Sequence, residues 1–149
     1  MSIMGISQFE RFFREAASLD VDKSDLKRMS DFLNHKIHDL LLIGVAKAKA
    51  NGRDVIQVHD LPITKGLQES IHHFRQLDLV IELQPILDQL ATLPSLPLDY
   101  SGEVETRLPE IVGGLVYALA QTFKIIDPEV KNPQTLHWDR ATQVFDLLL

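Results

Sequence analysis

The second half of this chain repeats the first in one register, and that repeat limits the fold more than any other feature. Its clearest stretch sets Val58-His59-Asp60-Leu61-Pro62-Ile63-Thr64-Lys65-Gly66-Leu67 against Leu136-His137-Trp138-Asp139-Arg140-Ala141-Thr142-Gln143-Val144-Phe145, an offset of 78 residues. Carried back without a gap, the offset pairs Phe9 with Leu87, Phe12 with Leu90 and Leu26 with Val104. It continues through Leu33 and Ile111, Ile37 and Leu115, Leu41 and Leu119, and Val45 and Phe123. Few residues are identical, but apolar positions fall on apolar positions. A chain made of two copies of one small unit must bury the apolar face of each copy against the other.

Each half reads the same way. A short amphipathic helix comes first, around Ser7–Ala17 and around Gln84–Ala91, followed by a loop, Leu19–Lys23 or the proline-rich Leu93–Tyr100. A long helix follows. Leu26, Met29, Leu33, Ile37, Leu40, Leu41, Gly44, Val45 and Ala48 recur at three- and four-residue spacing in one half. Val104, Leu108, Ile111, Leu115, Leu119, Phe123 and Ile126 do so in the other, giving one broad apolar face each. Asn51-Gly52 ends the first long helix with residues that tolerate a left-handed turn, and Asp127-Pro128 ends the second. A short extended piece is expected next, Val55–Val58 or Gln134–Leu136, and then a last helix. Asp60, ahead of Leu61-Pro62, is placed to cap that helix in the first half, and Asp139 in the second. The first half's last helix is expected to run through Leu67, Ile71 and Phe74 toward Asp78, leaving a short link.

One local motif goes further than the order of elements. Asn51-Gly52-Arg53-Asp54-Val55-Ile56-Gln57-Val58-His59-Asp60-Leu61 resembles the segment after the central helix of histones and archaeal histones. There a Gly-Arg precedes an apolar strand and an aspartate. The resemblance implies an intrachain clamp between Arg53 and Asp60, which stand seven apart. The second half departs from the motif, with Lys131 for the arginine and Trp138 for the aspartate. Over nearly its full length the chain is similar to bacterial single-chain proteins of unassigned role that carry two histone folds in tandem. The expected fold is therefore all-α: two helix–strand–helix units packed as an intramolecular pseudo-dimer, with short strand pairs between the paired loops. Residues 1–149 would form one domain, with pseudo-repeats at about 1–78 and 79–149. A lone unit cannot cover its own apolar stripe, and fusion makes the pairing intramolecular.

The 149 residues contain no cysteine, which removes disulfides, thiolate metal sites and cysteine nucleophiles and suits a reducing compartment. Met1-Ser2-Ile3-Met4-Gly5 has no basic stretch leading into an apolar core, so no signal peptide is expected. The apolar runs at Leu40–Ala46 and Ile111–Ala120 are too short for a membrane span. A cytoplasmic protein is the expectation. Net charge is −6, unevenly spread: residues 1–77 carry 11 Lys/Arg and 10 Asp/Glu, residues 78–149 only 4 against 11. Phosphate contacts dominate nucleic-acid affinity, so this acidic second half disfavours general DNA packaging.

Gly113 and Gly114 lie inside the second long helix, where each costs about 1 kcal/mol relative to alanine. Close approach of the other long helix near His35 and Ile37 would compensate; a local kink or an N-terminal helix break is the alternative. The histidines His35, His38, His72 and His73 lack the convergent spacing of a metal site, so no metal is expected. His59 and His137 occupy equivalent repeat positions, which points to a structural role. No nucleophile elbow, phosphate loop or dinucleotide fingerprint is present, and Glu103 and Glu105 suit a helix start. The chain is read as non-enzymatic, with no cofactor.

In the resembled family, paired loops contact DNA. One such edge here would combine Lys47, Lys49 and Arg53 with Ser95, Tyr100 and Ser101. The other would set Asp127, Glu129 and Lys131 beside Asp20, Asp22 and Lys23, an acidic combination. Two readings follow. The first is a protein-interaction module whose partner is another protein or a second copy of itself. The second is an architectural DNA-binding protein using the one modestly basic edge. Fold alone does not separate them; charge favours the first.

Overall fold

The computed structural model describes residues 3–149; Met1 and Ser2, the start of the segment read above for a leader, lie outside the described residues. Helix α1 (Ile6–Ala17) forms because Phe9, Phe12 and Phe13 fall on one face, and all three are fully buried. It ends at Ser18, which adopts φ +54°. The N–H groups of Ser18 and Leu19 turn back to the carbonyls of Arg14 and Phe13, and Leu19 then buries, closing the helix end.

Helix α2 (Lys23–Ala50) starts at a reciprocal cap. Asp22 accepts the N–H groups of Ser24 and Asp25, and the Asp25 carboxylate accepts the Asp22 N–H. It ends at Asn51, with Gly52 at φ +70°, a conformation a Cβ would strain. Strand β1 (Val55–Ile56) and a 3-10 turn (Val58–Asp60) follow, then helix α3 (Lys65–Gln76). The remaining elements are α4 (Leu83–Leu90), β2 (Asp99–Tyr100), α5 (Gly102–Ile126) and α6 (Thr135–Leu148). Ser101 caps α5 by accepting the Val104 N–H, and Glu103 and Glu105 lie in its first turn, where the helix dipole favours them.

Strand β1 runs parallel to β2, with Val55 opposite Asp99 and Ile56 opposite Tyr100. The Ser101 N–H extends the pairing to the Ile56 carbonyl at 2.9 Å. At the other end of the molecule the Asp20 N–H reaches the Lys131 carbonyl at 2.6 Å. The loop after each long helix thus lies against the loop before the other. Helix α5 forms the centre of the core: Ile111 through Val116 are all buried, a continuous run that only a helix covered on every side can carry. Pro109 removes one backbone bond from its first half.

The repeat register holds through the long helices. Leu26, Leu33, Ile37, Leu41 and Val45 are buried, and so are Val104, Ile111, Leu115, Leu119 and Phe123. It fails at both ends. In α4 the fully buried residue is Ile86, while Leu87 and Leu90 are half-buried. In the last elements the two halves diverge. Asp60 does not cap α3; its carboxylate is taken by Arg53 and the Gln57 N–H. The helix therefore waits for Thr64, whose hydroxyl accepts the Leu67 N–H, and it stops at Gln76, short of Asp78. In the second half Gln134–Leu136 is not a strand. Gln134 caps α6, which begins at Thr135 and holds Asp139 in its interior.

Candidate functional site

The β1–β2 edge gathers most of the residues singled out in the sequence. Asp60 is fully buried and sits between the guanidinium nitrogens of Arg53, with Nη1–Oδ2 and Nη2–Oδ1 both at 2.5 Å. A third bond comes from the Gln57 N–H at 2.8 Å. The paired guanidinium holds the Asp60 carboxyl well below the usual carboxylate range, against the opposing effect of burial. Both guanidinium arms of Arg53 point inward, which is the geometry of a loop clamp.

The other residues of this edge are also engaged. Lys47 Nζ donates to the His59 carbonyl at 3.0 Å. Ser101 caps α5. Tyr100 is half-buried, and burial together with the nearby carboxylates of Glu105 and Asp99 pushes its phenol above its ordinary value. Ser95 is exposed in the α4–β2 loop, and Lys49 is exposed, its ammonium making no ion pair or hydrogen bond among the described residues. Exposed Asp54 and Asp99 flank the pair. Of the six residues named for a phosphate-binding edge, Lys49 alone presents a cation with no ion pair or hydrogen bond among the described residues.

The opposite edge is acidic and committed to structure. Asp22 caps α2. Asp127 accepts from His137 Nε2 at 3.0 Å, and that bond holds the Asp127 carboxyl below its ordinary value. His137 Nδ1 accepts the Gln134 N–H at 2.9 Å, so the ring ties the end of α5 to the start of α6. This link ties the loop after α5 as the Arg53–Asp60 pair ties the loop after α2, though its residues occupy other repeat positions. Trp138, in the position of the missing aspartate, packs edge-on against Phe123 and donates Nε1–H to Asp25 of α2 at 2.8 Å. Burial raises the Asp25 carboxyl above its ordinary value, opposed by the bonds from the Asp22 N–H and Trp138. Sequence reasoning missed this bond because its partners stand 113 residues apart.

Gly113 and Gly114 do sit at a close helix contact, but against α3. A Cβ on Gly113 would lie 2.4–2.5 Å from the Phe74 ring, and one on Gly114 would lie 2.5 Å from Ile71 Cγ1 and 3.1 Å from Ile71 N. The expected neighbours, His35 and Ile37, are not their nearest ones. The α3–α5 packing is tighter than the crossing of α2 with α5, and the glycines serve that tighter contact. The histidines do not converge. His35 bonds the Asp31 carbonyl, His38 the Pro94 carbonyl, and His73 stacks on Tyr117. Among the described residues no group of three or more His, Asp or Glu side chains is placed to hold a metal ion. No helix among them is long and apolar enough to cross a membrane.

One surface escaped the sequence reading almost entirely. Ile125, Leu147 and Leu148 are 79%, 83% and 73% exposed, and Val144 is 40% exposed. Ile125, Val144 and Leu148 border a cleft of about 500 Å³ between the start of α3, the second half of α5 and the end of α6, floored by Leu67, Leu115 and Phe145. Of this patch, only the apolar run Leu147-Leu148-Leu149 stands out in the sequence.

Among the described residues, six helices whose two long members have loops lying against each other, with an Arg–Asp clamp inside the loop after α2, form a histone fold. Comparison with solved structures agrees: the chain matches the histone of Methanopyrus kandleri with a TM-score of 0.60 over 93% of this chain and 92% of that one, at 14% identity. Residues 9–146 match the family described as a domain of unknown function, DUF1931, and the chain belongs to that family. It is similar to a Thermus thermophilus protein of known crystal structure, 54% identical over 99% of both chains with a TM-score of 0.94. A protein from Aquifex aeolicus is similar in fold, 22% identical with a TM-score of 0.83 over 99% of this chain and 97% of that one.

Proposed function

We propose that this chain is a non-enzymatic, single-chain histone pseudo-dimer that acts in the cytoplasm as a protein-interaction module. Residues 1–149 form one domain in this reading, with pseudo-repeats of about 1–78 and 79–149. Support for the pseudo-dimer comes from the match to the Methanopyrus histone, which extends over 93% of this chain and 92% of that one. The observation that carries the function is the pairing of a consumed basic edge with an open apolar surface. Arg53 and Ser101 are spent on structure and Lys47 commits one bond to the His59 carbonyl, whereas Ile125, Val144 and Leu148 border one open apolar cleft. A contiguous exposed apolar patch marks an interaction site on a soluble protein. The partner it suits presents an apolar face of its own, because the patch offers few charges for a polyanion to read.

The test uses two variants that spoil the patch without touching the core, Ile125→Asp and Leu148→Asp. A protein captured by the wild-type chain and lost by both variants supports the reading. Capture unaffected by either variant removes it. Duplex DNA titrated at low and moderate salt supplies the other arm. Binding that weakens with a slope of about two to three phosphates would favour the architectural DNA reading instead.

A further inference from the structure

The acidic net charge hides one local excess of positive charge. Beside the β1–β2 edge, a recess of about 620 Å³ opens between the end of α2, the segment before α3, α3 itself and the first half of α5. Lys47, Arg75 and Arg107 line it together with one carboxylate, Glu110, and its walls include Leu61 and Ile71. Arg75 reaches Glu110 Oε2 through Nη2 at 2.6 Å and Nε at 3.2 Å, and Arg107 Nη1 reaches Oε1 at 3.1 Å. Counting Lys, Arg, Asp and Glu, the lining carries +2 in a chain whose net charge is −6.

Glu110 holds the two guanidiniums together against their own repulsion, yet it meets only part of their capacity. Arg75 commits two of its five N–H donors and Arg107 one, and both side chains are about half exposed. Lys47 commits one bond, to the His59 carbonyl. Paired guanidinium forks match the oxygens of phosphate or carboxylate, and a lysine adds a point charge. The recess falls within the roughly 300–1,000 Å³ range of small-ligand sites, and its aliphatic walls suit an apolar body. We infer that this recess binds a small phosphomonoester, a doubly charged oxyanion on an apolar group, between Arg75, Arg107 and Lys47. This site is separate from the apolar surface proposed for a protein partner, so neither test depends on the other.

The test titrates the full chain at low salt with two probes, inorganic phosphate and phenyl phosphate, followed by amide chemical shifts. One saturable site per chain is expected, with shifts centred on Ile71, Arg75 and Arg107. Phenyl phosphate should bind more tightly than phosphate. Arg75→Gln and Arg107→Gln should each weaken it about tenfold, the scale of one charge-assisted contact. Glu110→Gln should tighten binding, because it removes the carboxylate that competes with the ligand. Circular dichroism verifies that these surface variants stay folded. Failure to saturate by about 20 mM phenyl phosphate, which places the dissociation constant above a few millimolar, would overturn the inference. Equal binding of the two probes, or unchanged binding in the arginine variants, would do the same. Weaker binding by folded Glu110→Gln would reduce the cluster to a structural ion network.

Discussion

Replacing Gly114 with alanine tests the packing of this fold through the sign of one number. At an open position inside a helix the change raises stability by about 1 kcal/mol, because alanine restricts the unfolded chain and favours the helix. At Gly114 the new Cβ would lie 2.5 Å from Ile71 Cγ1, 3.1 Å from Ile71 N and 3.3 Å from Ile71 Cα. All three are inside ordinary contact distance, and two are backbone atoms that no rotamer change can move. Helix α3 is itself pinned by buried Leu67, Ile71 and Phe74, so relief requires the helix to shift. Overpacking of this kind costs roughly 1–3 kcal/mol, toward the upper end where backbone must move. Set against the helix gain, the expected net loss is about 1–2 kcal/mol, or a fall of roughly 2–8 °C in Tm for a chain of this size. Urea unfolding followed by circular dichroism gives the number directly, provided the slope is unchanged. Gly66→Ala is the internal control: it also lies in a helix but meets nothing within 4 Å, so it should gain up to about 1 kcal/mol. A Gly114→Ala protein as stable as wild type would refute the reasoning. Gly114→Leu should prevent folding altogether.

Three further outcomes are expected. Arg53→Ala and Asp60→Ala should be strongly non-additive in a double-mutant cycle, because each removes the same clamp. Since the folded Asp60 pKa is depressed, its contribution is complete above the unfolded value near pH ~4 and is lost as pH falls through the folded value; Asp60→Asn should flatten that part of an acid-unfolding profile. Trp138→Phe keeps the contact with Phe123 but strips the buried Asp25 carboxylate of a donor, costing about 1–3 kcal/mol. Burial already raises the Asp25 pKa, so its penalty eases as pH falls through the folded value, and an NMR titration of Asp25 in the variant should move still higher. Lys36 is buried and paired with Asp146 and Asp39, an arrangement whose desolvation offsets its attraction; Lys36→Met should leave thermal stability unchanged or raise it by up to about 2 kcal/mol.

Features carried by local chemistry were legible in the sequence. The long helices follow from apolar spacing, and the clamp follows from a motif within eight residues. What was not legible depended on contacts between distant segments. Nothing in the spacing of Gly113 and Gly114 says which helix will press on them, because both α2 and α3 present apolar faces and only packing chooses. The shifted last elements were hidden for a similar reason. Leu136-His137 matches Val58-His59 in sequence, but His137 accepts a backbone N–H and starts a helix while Val58 and His59 make a turn. The basic edge rests on the loop pairing of the resembled family and on charge, neither of which shows that Arg53 is turned inward and Lys47 toward the His59 carbonyl.

These details make the two halves unequal in how they are held. In the first, Arg53 and Asp60 lock the loop after the long helix to itself, so the lock exists whatever the other half does. In the second, the aspartate position is filled by Trp138, whose bond goes to Asp25 of α2, and the local tie passes to Asp127 and His137. Helix α6 is therefore fastened to the first long helix, α2. Through Trp138 at the aspartate position, α6 depends on a contact with α2 rather than on its own preceding loop. The same change removes the symmetry on which two matched phosphate-binding edges would depend. One edge keeps a lone free lysine, Lys49, and the other is acidic. A polyanion following the molecule from edge to edge would meet attraction at one end and repulsion at the other. The apolar end of α5 and α6 carries no such conflict, and there the proposed role in binding protein meets the least electrostatic opposition.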